Sequence, residues 1–157
     1  MNDITNALNW TVRKLEDIKS LQLYDILKLR ADVFVVEQEC IYPDIDGKDV
    51  KALHVIGTKD SEVIAYTRIF DSGEYFEMPS IGRVVVKESE RKHKYGHELI
   101  RQSIEAINNY YGSQSIKISA QVYLTKFYET HDFRAIGTEY LEDGIPHVAM
   151  IRKPKTG

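Results

Sequence analysis

The sequence predicts an α/β fold, a mixed sheet of six or seven strands with helices on both faces. Three observations carry this. The β-formers Val84-Val85-Val86 pass through a polar turn into an amphipathic stretch and then into SIKISA at 115–120, a βαβ unit in mid-chain. Before it, LHVIG and VIAYTRIF flank the tight connection Lys59-Asp60-Ser61-Glu62, a hairpin. After it, two more strand-like runs flank Glu142-Asp143-Gly144-Ile145-Pro146. The order is β-α-loop-β-β-β-α-β-α-β-β, which joins antiparallel wings to a parallel centre.

The elements follow in turn. Residues 1–8 read as a loose leader. Trp10 to Glu16 alternates apolar and polar residues and reads as a first strand. Leu23, Ile26, Leu27, Arg30 and Phe34 recur at helical spacing, so Leu21 to Val36 is expected to be a helix with Ser20 as its N-cap. Residues 37–49 form an acidic loop broken by Pro43 and Gly47. Leu53 to Gly57 and Val63 to Phe70 are the hairpin strands, and 71–80 is a loop in which Pro79 cannot donate to a central ladder. In the central unit Ile100, Ile104, Ile107 and Tyr111 lie four, three and four residues apart, one face of a helix, and Gly112 suits its left-handed end. Ser115 to Ala120 is a strand and Val122 to His131 a short helix. Phe133 to Tyr140 and His147 to Arg152 close the sheet, with a polar tail from Lys153.

With 157 residues, no repeat and no linker, one domain is expected over 1–157, its core spanning about 8–153. The net charge of −3 suggests neither nucleic acid nor an anionic membrane as partner. The single cysteine, Cys40, permits no internal disulfide and suits a reducing compartment. No apolar run approaches the roughly 20 residues of a membrane span. The N-terminus has neither the basic start nor the apolar core of a signal peptide, so a cytoplasmic location is expected.

The basic cluster is local. Arg91, Lys92 and Lys94 precede Gly96 where a helix begins, and a helix start leaves about four N–H groups unpaired and carries roughly half a positive charge. This is either a phosphate-binding turn or a solvated βα turn.

The element order, with Val84-Val85-Val86 and Arg91-x-x-Lys94-x-Gly96, resembles the GNAT acetyltransferase superfamily. VFVVEQECIYPDIDGKD, IGRVVV and EYLEDGIPHVAM are similar to its ElaA-like branch, and the resemblance spans about residues 8 to 153. It implies the GNAT acyl-CoA N-acyltransferase fold and acetyl-CoA as co-substrate. Backbone groups of Val84, Val85 and Val86 are then expected to hold the pantetheine arm. The thioester enters the splay around Ser119, and the backbone N–H groups of Lys92, His93, Lys94, Tyr95, Gly96 and His97 cradle the pyrophosphate beside Arg91. Gln121 stands where many members carry a pantetheine-binding asparagine. The sequence departs from the pattern at Lys94, in place of the first glycine, at Lys92, and at Asp132, where a glycine is usual. Aspartate tolerates positive φ better than most residues.

Acetyl transfer to an amine needs a neutral amine, a polarised carbonyl and a proton for the leaving thiolate. By the resemblance Tyr128 is the general acid; otherwise it is an aromatic packing residue. Where some members carry a base glutamate, near Ile116, no carboxylate stands, so the candidates are Glu37, His54, Glu142 and His147, with His54 and Glu142 foremost. A histidine with pKa near about 6.5 suits neutral pH, although a strand histidine also serves structure, and Glu142 and His147 also suit turn stabilisation. Glu37, Glu39, Asp44, Asp46 and Asp49 either attract a cationic acceptor or close the loop against Arg30, Lys48 or Arg83. A calcium loop fails, since Tyr42 and Leu53 occupy the first and closing ligand positions, and no metal is expected. The expected function is acetyl-CoA-dependent N-acetyltransfer to a small-molecule or peptide amine. The rival is a non-catalytic acyl-CoA-binding module. The resemblance leaves a homodimer through edge strands open.

Overall fold

The computed structural model describes residues 7–155. Among these, seven strands form one sheet: β1 (Asn9–Lys14), β2 (Leu53–Lys59), β3 (Glu62–Phe70), β4 (Ser80–Val86), β5 (Ile116–Gln121), β6 (Phe133–Glu142) and β7 (Ile145–Arg152). Their order is β1-β2-β3-β4-β5-β7-β6. Every neighbouring pair is antiparallel except β4 and β5, which run parallel. The β2–β3 turn is closed by Asp60 and Ser61 at φ 52° and 66°, the left-handed pair that a two-residue hairpin requires.

Helix α1 (Ser20–Arg30) covers one face of the sheet and α2 (Tyr95–Tyr111) the other. Ile26, Leu29, Val33 and Phe34 pack with Ile56, Val63, Tyr66 and Val85. Leu99, Ile100, Ile104 and Ile107 of α2 pack with Val55, Ile64 and Ile81. Successive residues of β2 thus serve opposite cores, as a period of two demands. Ile100 and Ile107 are wholly buried, and each contributes about 2 kcal/mol. Gly112, at φ 93°, ends α2, and Asp132 takes φ 69° where a glycine is usual.

Several boundaries differ from the sequence expectation. Leu8 is buried, so the core begins inside the expected leader; residues 1–6 of that leader lie outside the described residues. β1 stops at Lys14 and turns into a 3-10 helix over Leu15–Asp17. Lys19 is the α1 N-cap, and Ser20 is already helical. The α-helix ends at Arg30, beyond which Ala31–Glu37 continues as a π-helix. Branched Val33, Val35 and Val36 are weak α-formers, and the widened turn buries both Val33 and Phe34. The last expected helix is a 3-10 turn, Val122–Leu124, followed by α3 (Thr125–Glu129). No helix among the described residues is long and apolar enough to cross a membrane.

Strand β4 carries a bulge. Tyr66 faces Val85 and Arg68 faces Gly82, so β4 has one extra residue between these rungs. Arg83 lies there at φ 51°.

The acidic loop closes on buried arginines, which decides between its two readings. Arg30 donates from Nε to Asp44 Oδ2 and from Nη1 to Asp49 Oδ1, both at 2.9 Å. Arg68 donates to the same Asp49 oxygen at 3.0 Å and grips Asp46 at 2.7 and 2.8 Å. Arg83 Nε stands 2.7 Å from Asp44 Oδ1 as an ion pair without hydrogen-bond alignment. Lys48 is not among the closing cations; its backbone N–H caps Asp46 at 3.0 Å. These aspartates are counter-ions of the fold and do not line an open pocket for a cation.

Burial alone would raise the Asp46 and Asp49 carboxyls, but hydrogen bonds from Arg68 and Arg30 hold both well below the usual range. Their stabilisation is therefore fully present above the ordinary carboxyl pKa and lost as pH falls through the depressed folded values. Stability is expected to decline below about pH 4 in denaturant titrations. Asp49→Ala, which takes one of two carboxylate partners from each of two buried guanidinium groups, is expected to cost about 3 kcal/mol by the same measurement.

Candidate active site

The site exists because β4 and β5 meet only once. Ser80 pairs with Lys117, and Lys117 N donates to the Pro79 carbonyl at 2.9 Å. Past that rung the strands diverge, β4 staying with β3 and β5 with β7. The splay opens a cleft of about 550 Å³ whose walls include Gly82 to Val86 on one side and Ile118, Ser119 and Gln121 on the other.

The π-helical segment and the loop after it roof this cleft. Glu37 takes a bidentate ion pair from Arg91 at 2.8 and 2.9 Å. Gln121 Nε2 donates to Gln38 Oε1 at 3.4 Å, and Cys40 Sγ donates to the Asp143 carbonyl at 3.4 Å. The cross-cleft partner of Arg91 had no sequence signal, because 54 residues separate the pair.

At the basic end, Arg91, Lys94, Gly96 and His97 line the cleft. Glu88–His93 is a 3-10 helix, and Lys94 caps α2 at φ 60°. The Lys94 and His97 amides already bond the Arg91 and Lys94 carbonyls. The cradle is thus narrower than the run from Lys92 to His97 expected from sequence. Gly96 sits in the first turn, whose N–H groups lack intrahelical acceptors. A Cβ there would only touch the Phe127 ring at 3.5 Å, so the protein's own packing does not require glycine, and its bare backbone faces the cleft. Lys92, His93 and Tyr95 do not line the cleft: Lys92 is exposed, His93 packs 5.3 Å from the Tyr95 ring, and Tyr95 is buried in the α2 core.

At the other end stand Tyr128, Ser119, Glu142 and His147. Tyr128 is buried against Phe127 and Phe133, and burial pushes its phenol well above the ordinary value. Its hydroxyl bonds no other described residue. Glu142 Oε1 accepts from Ser119 Oγ at 3.0 Å, while Ser119 also bonds the Tyr140 hydroxyl. Glu142 Oε2 lies 3.5 Å from His147 Nε2. His147 Nδ1 is 2.7 Å from the Ile145 carbonyl, which requires a proton on Nδ1. In a neutral ring, Nε2 is then the acceptor. Tyr140, stacked on His147 at 6.2 Å, was not anticipated.

His54 lies elsewhere. It is buried at 1% exposure, with Nδ1 2.6 Å from the Tyr66 hydroxyl and Nε2 3.0 Å from the Asp49 carbonyl. Burial, with Arg30 and Arg68 nearby, lowers its pKa. Both ring nitrogens are engaged and the ring is not on the cleft wall, so His54 belongs with the ion network and is set aside as a base.

A family model described as an acetyltransferase (GNAT) domain matches residues 22–154. The chain belongs to the GNAT acetyltransferase family. It is 38% identical to the ElaA protein of Escherichia coli K12 over 148 residues, 93% of this chain and 97% of that one. The crystal structure of E. coli ElaA superposes with a TM-score of 0.86 at 37% identity, covering 93% of this chain and 99% of that one. An acyl-CoA N-acyltransferase from Pseudomonas aeruginosa gives 0.86 at 35% identity, with coverage of 93% and 99%. The protein is thus an ElaA-like GNAT with the acyl-CoA N-acyltransferase fold, and family and fold support an acyltransferase.

Within this GNAT the glycine-poor turn has a physical account. Lys94 takes a left-handed conformation that glycine adopts without strain, at a cost of about 1 kcal/mol. Its exposed side chain stands at the cleft edge. Lys94→Gly is expected to keep thermal stability within about 1 kcal/mol. Lys94→Val, branched in a left-handed position, is expected to lose about 1–2 kcal/mol in the same melting experiment.

Proposed function

We propose that the protein is an acetyl-CoA-dependent N-acetyltransferase that transfers the acetyl group directly to an amine within a ternary complex. The observation that carries this reading is the β4–β5 splay, which has a buried phenol and a carboxylate–imidazole pair on its walls and a basic turn at one end. The edge of β4 turned to β5 is unpaired beyond Ser80, which suits a pantetheine arm bonding as an added strand beside Val84 to Val86. Arg91, Lys94 and the Gly96 backbone suit the pyrophosphate, Arg91 exchanging Glu37 for phosphate oxygens.

In the transfer, the amine nitrogen bonds the thioester carbonyl carbon and the carbon–sulfur bond breaks. Tyr128 gives its proton to the leaving sulfur. Glu142, beside His147, takes the proton that the amine sheds. Burial keeps Tyr128 protonated at neutral pH, and the same apolar walls make a nascent thiolate a stronger base. The acceptor class is a primary amine on a small molecule or peptide.

The test is acetyl-CoA turnover over a broad amine panel, read by free-thiol release. Tyr128→Phe is expected to lower kcat about 10²-fold with CoA affinity unchanged by calorimetry. Glu142→Gln is expected to lower it by about 10²-fold. Undiminished transfer in Tyr128→Phe, or no acetyl-CoA binding, overturns the reading. Tight CoA binding without turnover of any amine makes the protein a binding module instead.

A further inference from the structure

A second cavity of about 430 Å³ runs along α2, walled by His97, Arg101 and Asn108, by His131 beyond α3, by Arg152 at the end of β7 and by Lys155 after it. His97 also lines the large cleft, so this groove begins where the basic end of the cleft stops. Arg101, Arg152 and Lys155 face only two carboxylates, Glu105 and Asp132, and Asp132 is matched by Lys155 at 3.8 Å. Arg101 is exposed and makes no hydrogen bond or ion pair to another described residue. Arg152 spends Nε on the His131 carbonyl at 3.1 Å, which leaves both terminal nitrogens uncommitted among the described residues.

Two histidines stand in contact on the wall of this groove. His97 Nδ1 and His131 Nε2 are 3.0 Å apart, so one ring donates to a bare nitrogen of the other and at least one is neutral. His131 is pushed down to about 4, first by burial and then by His97, with Arg101 and Arg152 acting in the same direction and Asp132 alone opposing. Arg101 and Arg152, whose charges disfavour a proton on the neighbouring ring, favour an anion between them.

We infer that this groove binds the ribose phosphomonoester of the acyl-CoA donor, an inference that rests on the donor reading of the main cleft. A pyrophosphate at Arg91, Lys94 and Gly96 sits at the start of α2, and Arg101 lies five residues on from Gly96, just over one turn. The nucleotide end of the donor passes over His97 into the groove. A phosphomonoester carries about −1.5 to −2 charges at neutral pH, and its oxygens match a bidentate guanidinium. The tether through the pyrophosphate favours this source over a separate phosphate-bearing effector.

Calorimetry on the full chain with CoA, dephospho-CoA and adenosine 3′,5′-bisphosphate tests this. CoA is expected to bind about tenfold tighter than dephospho-CoA, as a charge-assisted contact implies. Arg101→Gln, at an exposed site, is expected to abolish that preference while leaving dephospho-CoA affinity unchanged. The bisphosphate is expected to compete with CoA. Equal affinity for CoA and dephospho-CoA in the wild type overturns this inference alone and leaves the donor reading intact. So does a preference that survives Arg101→Gln together with Arg152→Gln, or a bisphosphate that binds without competing. Failure of both CoA forms to bind overturns the donor reading and this inference together.

Discussion

A single carboxylate oxygen, Asp49 Oδ1, accepts from Arg30 at the end of α1 and from Arg68 in the middle of β3. The loop from Gln38 to Ala52 has little regular structure, and a segment of that length would ordinarily wander. Here it is fastened at Asp44, Asp46 and Asp49 to three guanidinium groups. Burying so many charges is costly and does not favour stability over an apolar core of the same shape. What it achieves is placement: Glu37, Gln38, Cys40 and Tyr42 are held over the splay between β4 and β5. The network reaches the cleft through Arg83, which pairs with Asp44 and lines the β4 wall.

The cleft itself divides its chemistry by position. Its basic end uses a helix start, a lysine in a left-handed turn and an arginine already matched to a carboxylate. Its other end gathers a buried phenol and the chain Tyr140–Ser119–Glu142–His147. Glu37 matters to the first end because it neutralises Arg91 across the opening. A phosphate must displace a carboxylate to reach that arginine, so the favourable term is the difference between two ion pairs, one of them partly exposed to water and therefore weak.

Much of the fold was legible in the sequence because it depends on period and on a few special residues. The order of elements, the 3.6-residue face of α2, the Asp60-Ser61 turn and Gly112 all declare themselves locally, whereas Asp132 stands out only through the family resemblance. Less legible was whatever depends on a distant partner. His54 sits in a strand whose pattern looks the same whether its ring meets a substrate or a buried Asp49 carbonyl. In sequence the acidic loop reads equally well as an open pocket, because Arg68, which faces it, lies nineteen residues beyond Asp49. The π-helical continuation after Arg30 resembles an ordinary helix in spacing, and only the simultaneous burial of Val33 and Phe34 sets it apart. Within the site, the turn at 91–96 and the loop at 142–147 stood out by composition, whereas Tyr140 and the His97–His131 pair did not.

The bulge at Arg83 changes what kind of variation β4 can absorb. Ile81 and Val85 are an even number of residues apart, yet Ile81 packs with α2 and Val85 with α1, while Val84 and Val86 join the α2 side. The extra residue reverses the sidedness of the strand halfway along. Deleting it would keep the same valines and much of the same ladder, yet would turn the downstream side chains inside out, one core losing what the other could not house. Exchanges of one branched apolar residue for another are mild here, whereas a change of length by one is not. In this strand the count of residues carries as much structural information as their identity.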